Sequence, residues 1–166
     1  MEKNIYNEIR RDIEIFNIEK AKLNQFSFFE QELGPIQKKL VEALKSGNYK
    51  QGINELVSGL FVKTYCILGV ACELASKENI VAKRLFNTYD DDSMVLPRKV
   101  QVYYEFVTNM GYINTERILE IEKNKKLDFR NYKFLSLSSM NDFGVSFNDL
   151  ADLLEEFPWL FFKKAV

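Results

Sequence analysis

Apolar residues are densest over residues 53–75, INELVSGLFVKTYCILGVACELA, the longest largely apolar run and one without proline. At about 100° per residue, Ile53, Leu56, Leu60, Phe61, Ile67, Leu68 and Leu74 fall in one broad sector. The other side carries Ser58, Gly59, Val62, Cys66, Gly69 and Val70, and charge is confined to Glu55, Lys63 and Glu73. This pattern predicts a buried central helix over about 49–77, with small residues where a neighbouring helix approaches closely. Gly59 and Gly69 each cost up to ~1 kcal/mol of helix propensity, which packing must offset. A membrane span needs roughly 20 predominantly apolar residues, and Lys63 and Glu73 interrupt this run well inside that length. A soluble helix is expected.

Ile5, Ile9, Ile13 and Phe16, with Leu23 a heptad later, predict an amphipathic helix over about 3–24. Gly34 and Pro35 break the chain, and Pro35 suits the first position of a helix over about 35–46, closed by Gly47. The short turn after it predicts an antiparallel pairing with the central helix. Asn79 is a candidate cap for a helix fading near Tyr89, and Asp90, Asp91 and Asp92 mark a loop. Pro97 opens a periodic run through Val100, Tyr103, Tyr104 and Val107 that Gly111 is expected to end. Asn114 or Thr115 caps a further predicted helix to about Lys125.

From Leu127 the periodicity changes. FLSLS over 134–138 has brief period-two character, so residues 127–140 read as a short strand or an irregular segment, with 94–96 as a candidate strand partner. Ser146 followed by Asp149 resembles a capping box, with Val145 and Leu150 placed as a hydrophobic staple. A last helix through Phe147, Leu150, Leu153 and Leu154 ends at Pro158, or restarts there. The tail Trp159, Leu160, Phe161, Phe162 must fold back or meet a partner. The expected fold is all-α or predominantly α, a compact multi-helix bundle around a buried central helix. Residues 1–166 read as a single helical domain, with 127–166 as a candidate C-terminal appendage.

Composition narrows the chemistry. Hydrophobic content of 46% supports a real core, and a net charge of -1 provides no general field for nucleic acid. The absence of histidine removes Ser–His–Asp and Cys–His catalysis and histidine-bound metal. Cys66 and Cys72, on one helix, would lie too far apart for a disulfide and read as buried thiols. The N-terminal residues show no signal-like apolar region, so a cytoplasmic protein is expected. The dinucleotide and nucleotide phosphate-loop patterns are missing, and no cofactor or metal is expected.

Asp90, Asp91 and Asp92 form a compact acidic cluster, and Tyr89, Tyr104 and Tyr112 surround it in sequence. Tyrosine joins a rigid apolar ring to a polar tip, which suits interfaces. With Trp159 from the tail, these residues make a candidate partner surface directed at a basic protein. The expectation is an intracellular protein-binding module acting by stoichiometric occlusion, in concrete form a bacterial toxin-neutralising immunity protein or antitoxin. Homo-oligomerisation is compatible with this reading. One alternative is a nucleic-acid-binding regulator, if Lys83–Arg84, Arg98–Lys99 and residues 123–126 converge. The other is a small helical enzyme using Asp or Glu with Lys or Tyr, with Glu73 the acid that most interrupts an apolar helix.

Overall fold

The computed structural model describes Asn7, Arg11, residues 31–114, Glu116 and residues 136–163. Among the described residues, the elements with described bounds are six α-helices and one two-stranded sheet, in the order α1 (Pro35–Lys45), β1 (Val57–Ser58), β2 (Thr64–Tyr65), α2 (Ile67–Lys77), α3 (Arg98–Tyr104), α4 (Leu137–Asp142), α5 (Phe147–Glu156) and α6 (Pro158–Phe161). The described fold is predominantly helical. The helix expected over about 3–24, apart from Asn7 and Arg11, lies outside the described residues. So does the one expected to end near Lys125, apart from Glu116.

The long central helix needs correction, and a small two-stranded sheet accompanies the helices. Only residues 67–77 of that run are helical. Ahead of them the chain forms an antiparallel hairpin, with Val57 opposite Tyr65 and Ser58 opposite Thr64. A third segment borders β2, with Tyr65 N–H donating to the Lys50 carbonyl at 2.9 Å and Gly52 N–H to the Tyr65 carbonyl at 2.7 Å. The physical reason for the break is at Cys66. Its backbone is extended and its Sγ accepts from Gly69 N–H, so it caps α2. Both cysteines are buried free thiols.

Close approach along the small-residue side does occur, but the visitor is the backbone leading into β1 and not a helix. The Leu56 carbonyl lies against Gly69, where an added Cβ would sit 1.6 Å from that oxygen. The same carbonyl accepts from Cys66 N–H at 3.2 Å, and Leu56 N–H donates to the Ser93 carbonyl at 2.8 Å. The Leu56 peptide therefore joins α2, the hairpin and the chain that returns at Ser93.

α2 is lined by Ile67, Leu68, Val70, Ala71, Cys72 and Ala75, all buried. It packs against α1, α3, α4 and β2, while α5 lies on α1. Burying a leucine-sized side chain contributes about 1.5–3 kcal/mol. One cluster of buried residues runs from Leu33 to Phe162. Polar ties fix its layers. Gln37 closes the start of α1 by accepting from Gly34 N–H at 2.7 Å, and its amide donates to the Tyr104 carbonyl at 3.0 Å. Buried Asn141 accepts from Ile67 N–H at 3.2 Å and from the Gln51 amide at 3.2 Å, and donates to the Gly52 carbonyl at 2.8 Å. This amide holds the hairpin base and the start of α2 to α4.

The remaining expectations divide by local chemistry. α1 begins at Pro35 and α5 follows Ser146, whose Oγ accepts from Asp149 N–H at 3.2 Å. α3 stops at Glu105, in the left-handed region at φ 62°, ahead of Gly111. Asn79, also at positive φ, terminates α2 and does not start a new helix. Ser136 caps α4 and bridges to Tyr112, so residues 137 and 138 of the strand candidate are helical, while 127–135 lie outside the described residues; among the described residues the bridge partner is Tyr112 and not 94–96. The tail folds back: Trp159, Leu160, Phe161 and Phe162 are buried, and Val107 N–H donates to the Phe161 carbonyl. Among the described residues, no helix is long and apolar enough to cross a membrane.

The Gly69–Leu56 contact predicts a sharp stability effect. Gly69→Ala should lower unfolding free energy by about 3 kcal/mol or more, because backbone must shift to admit the methyl. Gly34→Ala, at an ordinary φ of -70°, should cost no more than about 1 kcal/mol. Urea denaturation of both variants checks the difference, and equal losses would contradict the close packing.

Candidate functional site

The hairpin between β1 and β2 turns at Gly59, whose φ of 90° and 2.1 Å Cβ-to-Val62 oxygen distance leave no room for a side chain. The turn throws Leu60, Phe61 and Val62 outward. They are 85%, 95% and 65% exposed, although apolar periodicity placed Leu60 and Phe61 in a core sector.

A second turn lies beside it. Arg84 N–H donates to the Thr88 carbonyl at 2.9 Å, Lys83 bridges antiparallel to Tyr89, and Asp90 N–H donates to the Ala82 carbonyl at 2.9 Å. A 3₁₀ turn, Leu85–Asn87, closes this hairpin and leaves Leu85 81% exposed. The Asn87 side-chain amide donates to the Gly59 carbonyl at 3.3 Å, which sets the two tips side by side. Four large exposed apolar side chains thus stand on two turns joined by this hydrogen bond. Isolated exposed leucines are ordinary, whereas several exposed apolar side chains on adjoining turns form a candidate contact surface.

Glu73 holds the second hairpin to α2. Its carboxylate accepts from the Tyr89 hydroxyl at 2.6 Å and from Lys83 Nζ at 2.5 Å. Lys83 also lies 5.8 Å from the centroid of the Tyr89 ring. Burial pushes Glu73 upward, but the hydrogen bonds from Lys83 and Tyr89 outweigh it and hold the carboxyl below its ordinary value. Burial, then the hydrogen bond to Glu73, pushes the Tyr89 phenol up, so it remains a donor. The group is a closed donor–acceptor set.

The surface expected from sequence is rearranged. Tyr89 and Tyr104 are fully buried and Trp159 is 4% exposed, so none of the three can meet a partner in this conformation. Their rings are core pieces: Tyr104 packs edge-on to Tyr103 at 5.1 Å and tilted on Phe106 at 5.8 Å. Asp90 is committed within the chain, its Oδ2 lying 3.1 Å from Lys99 Nζ and its Oδ1 accepting from Ala82 N–H at 3.1 Å. The Lys99 hydrogen bond, followed by that from Ala82, holds its carboxyl below the ordinary value. Asp92 is partly buried and its backbone exchanges hydrogen bonds with Tyr89, which leaves Asp91 as the exposed member of the cluster. Tyr112 is half-buried and lines another cleft with Val107, Ile113 and Lys163, none of which belongs to the tips.

The basic segments are also divided. Lys83 pairs with Glu73 and Lys99 with Asp90, while residues 123–126 lie outside the described residues. Among the described residues, no group of three or more acidic or cysteine side chains could hold a metal ion. Leu60, Phe61, Val62 and Leu85 went unrecognised in the sequence. The available signal was Gly59 flanked by the strand formers Val57, Val62, Thr64 and Tyr65.

The sequence profile described as Domain of unknown function (DUF8296) matches residues 33–157. The chain belongs to this family. The DUF8296 match takes in both hairpins and α1 through α5. No curated protein and no solved structure matches the chain.

The Glu73 contacts predict a pH-dependent stability. A folded pKa below the ordinary 4.5 makes the contribution complete above that value, and it is lost as pH falls through the folded pKa. Glu73→Gln should therefore be less stable than the parent at neutral pH, by about 1–3 kcal/mol. Urea titrations should show that gap narrowing progressively below pH 4.5, and a gap independent of pH would contradict the assignment.

Proposed function

We propose that this DUF8296 chain is a protein-binding module that acts by stoichiometric occlusion, docking through its paired apolar tips. The observation that carries the reading is the exposure of Leu60, Phe61, Val62 and Leu85 on two hairpins tied together by Asn87. Four such side chains offer several hundred Å² of apolar surface, the scale on which protein contacts begin. Phe61, at 95% exposure, is the natural anchor. The reading treats residues 33–162 as one domain, supported by the continuous buried cluster.

A toxin-neutralising immunity protein or antitoxin in the cytoplasm is the concrete biological form of this proposal. The enzyme alternative gains one favourable fact, the meeting of Glu73, Lys83 and Tyr89. Their mutual hydrogen bonds leave Glu73 a weakened base, so the binding reading is preferred. The nucleic-acid alternative loses support because Lys83 and Lys99 are each engaged by a carboxylate.

Site-specific photo-crosslinking in cells tests the proposal. A photoreactive residue at Phe61 should give a discrete adduct of one chain with one partner protein, and the same residue at exposed Asn48 should not. Leu85→Asp should reduce the yield at position 61 at least about tenfold, a hot-spot-sized loss. Equal adducts at both positions, or none at Phe61, would contradict it.

A further inference from the structure

The exposed charges follow the two hairpins in the same order. In the first, Lys63 stands one residue beyond the Ser58–Thr64 pair, toward the tip, and Glu55 stands two residues before Val57, toward the base. In the second, Arg84 stands one residue beyond the Lys83–Tyr89 bridge, toward the tip, and Asp91 lies two residues past it, in the turn at the base. All four are exposed. Part-buried Asp142, which accepts from Asn54 N–H at 2.9 Å, and part-buried Asp92 add negative charge at the two bases, against exposed Lys50 beside β2. Arg84 also lies within electrostatic reach of Asp90. Both hairpins therefore run from a cation beside the apolar tip to anions at the base, and their rim carries both signs.

We infer that the tips of one copy are covered by those of a second copy, the two sets of hairpins lying antiparallel about a twofold axis. The dimer rests on the docking reading above, since it uses the same tips, and it competes there with any other partner. A twofold contact places a surface against itself, so its charges must be self-complementary. A rim of one sign would repel its copy. A rim positive at the tips and negative at the bases sets Lys63 and Arg84 of each copy toward the carboxylates of the other when the hairpins are antiparallel. The chain's net charge of -1 adds no appreciable repulsion between copies. Leu60, Phe61, Val62 and Leu85 of two copies together bury on the order of 1,000 Å², below the size of most stable interfaces. A contact of that size forms a weak, reversible dimer.

Sedimentation velocity of the full chain, over a protein range from about 10 μM to about 1 mM, should show monomer passing to dimer at low salt. Phe61→Asp should remain monomeric throughout. Lys63→Glu with Arg84→Glu makes tips and bases both negative. Glu55→Lys with Asp91→Asn removes the negative side instead, and asparagine tolerates the φ of 73° at position 91. Each double variant alone should dimerise at least about tenfold more weakly than the parent. An equimolar mixture of the two should recover dimers at low salt and lose them as salt rises. Thermal melts of the variants should match the parent, because every substituted position is exposed. A parent monomeric at every concentration, dimers insensitive to Phe61→Asp, or a mixture no more associated than its components would overturn the inference. The docking reading fails on a different result, the absence of any adduct from a photoreactive residue at Phe61 in cells. An adduct there with a different protein, while the purified chain stays monomeric, would leave that reading standing and sink the dimer alone.

Discussion

The peptide of Leu56 is the joint on which both hairpins hang. Its carbonyl rests on Gly69 at the first turn of α2 and accepts from Cys66 N–H, while its N–H reaches the Ser93 carbonyl. The first hairpin leaves this joint at Val57, and the chain carrying the second returns to it at Ser93. A side chain at residue 69 would push this peptide off the helix and move both turns. Asn141 reinforces the same region from beneath, by saturating Ile67 N–H and the Gly52 carbonyl with one buried amide. Buried amides placed this way stabilise only when all their partners are met, and no described buried side-chain atom lacks one.

From that joint outward, the structure changes character. The interior between α1, α2 and α5 is aliphatic and aromatic, and the tail with Trp159 and Phe161 completes it. The two turns carry comparable side chains into water instead. The Glu73, Lys83 and Tyr89 contacts fasten the second turn to α2, and Asn87 fastens it to the first. These contacts fix the apolar tips within the folded chain. A pre-formed surface spends less ordering entropy on binding than one assembled on contact.

Much of the helical framework was legible because its signals are local. Pro35 at a helix start, Ser146 as a cap with Asp149 in the first turn, and Pro158 restarting the chain each act within one turn of backbone. The isolation of Cys66 and Cys72 as thiols was legible too. The hairpin was not. Residues 53–75 satisfy a helical apolar sector, and periodicity cannot say whether Leu60 and Phe61 face a core or a solvent-exposed turn. That choice is made by contacts remote from Gly59, chiefly Leu56 on Gly69 and Gln51 on Asn141. The burial of Tyr89 and Tyr104 was hidden for the same reason. Tyr89 and Tyr104 have the composition of an interface, but tertiary packing draws them inside and leaves aliphatic residues at the tips.

The central claim is that Phe61 stands in water on a fixed tip of a folded chain. Fluorinated phenylalanine at positions 61 and 106, observed by fluorine NMR with a soluble paramagnetic agent, measures this directly. The account predicts strong relaxation enhancement at Phe61 and near-complete protection at Phe106, which is 1% exposed. Comparable protection at the two positions would mean that Phe61 belongs to the core, and the docking surface would not exist.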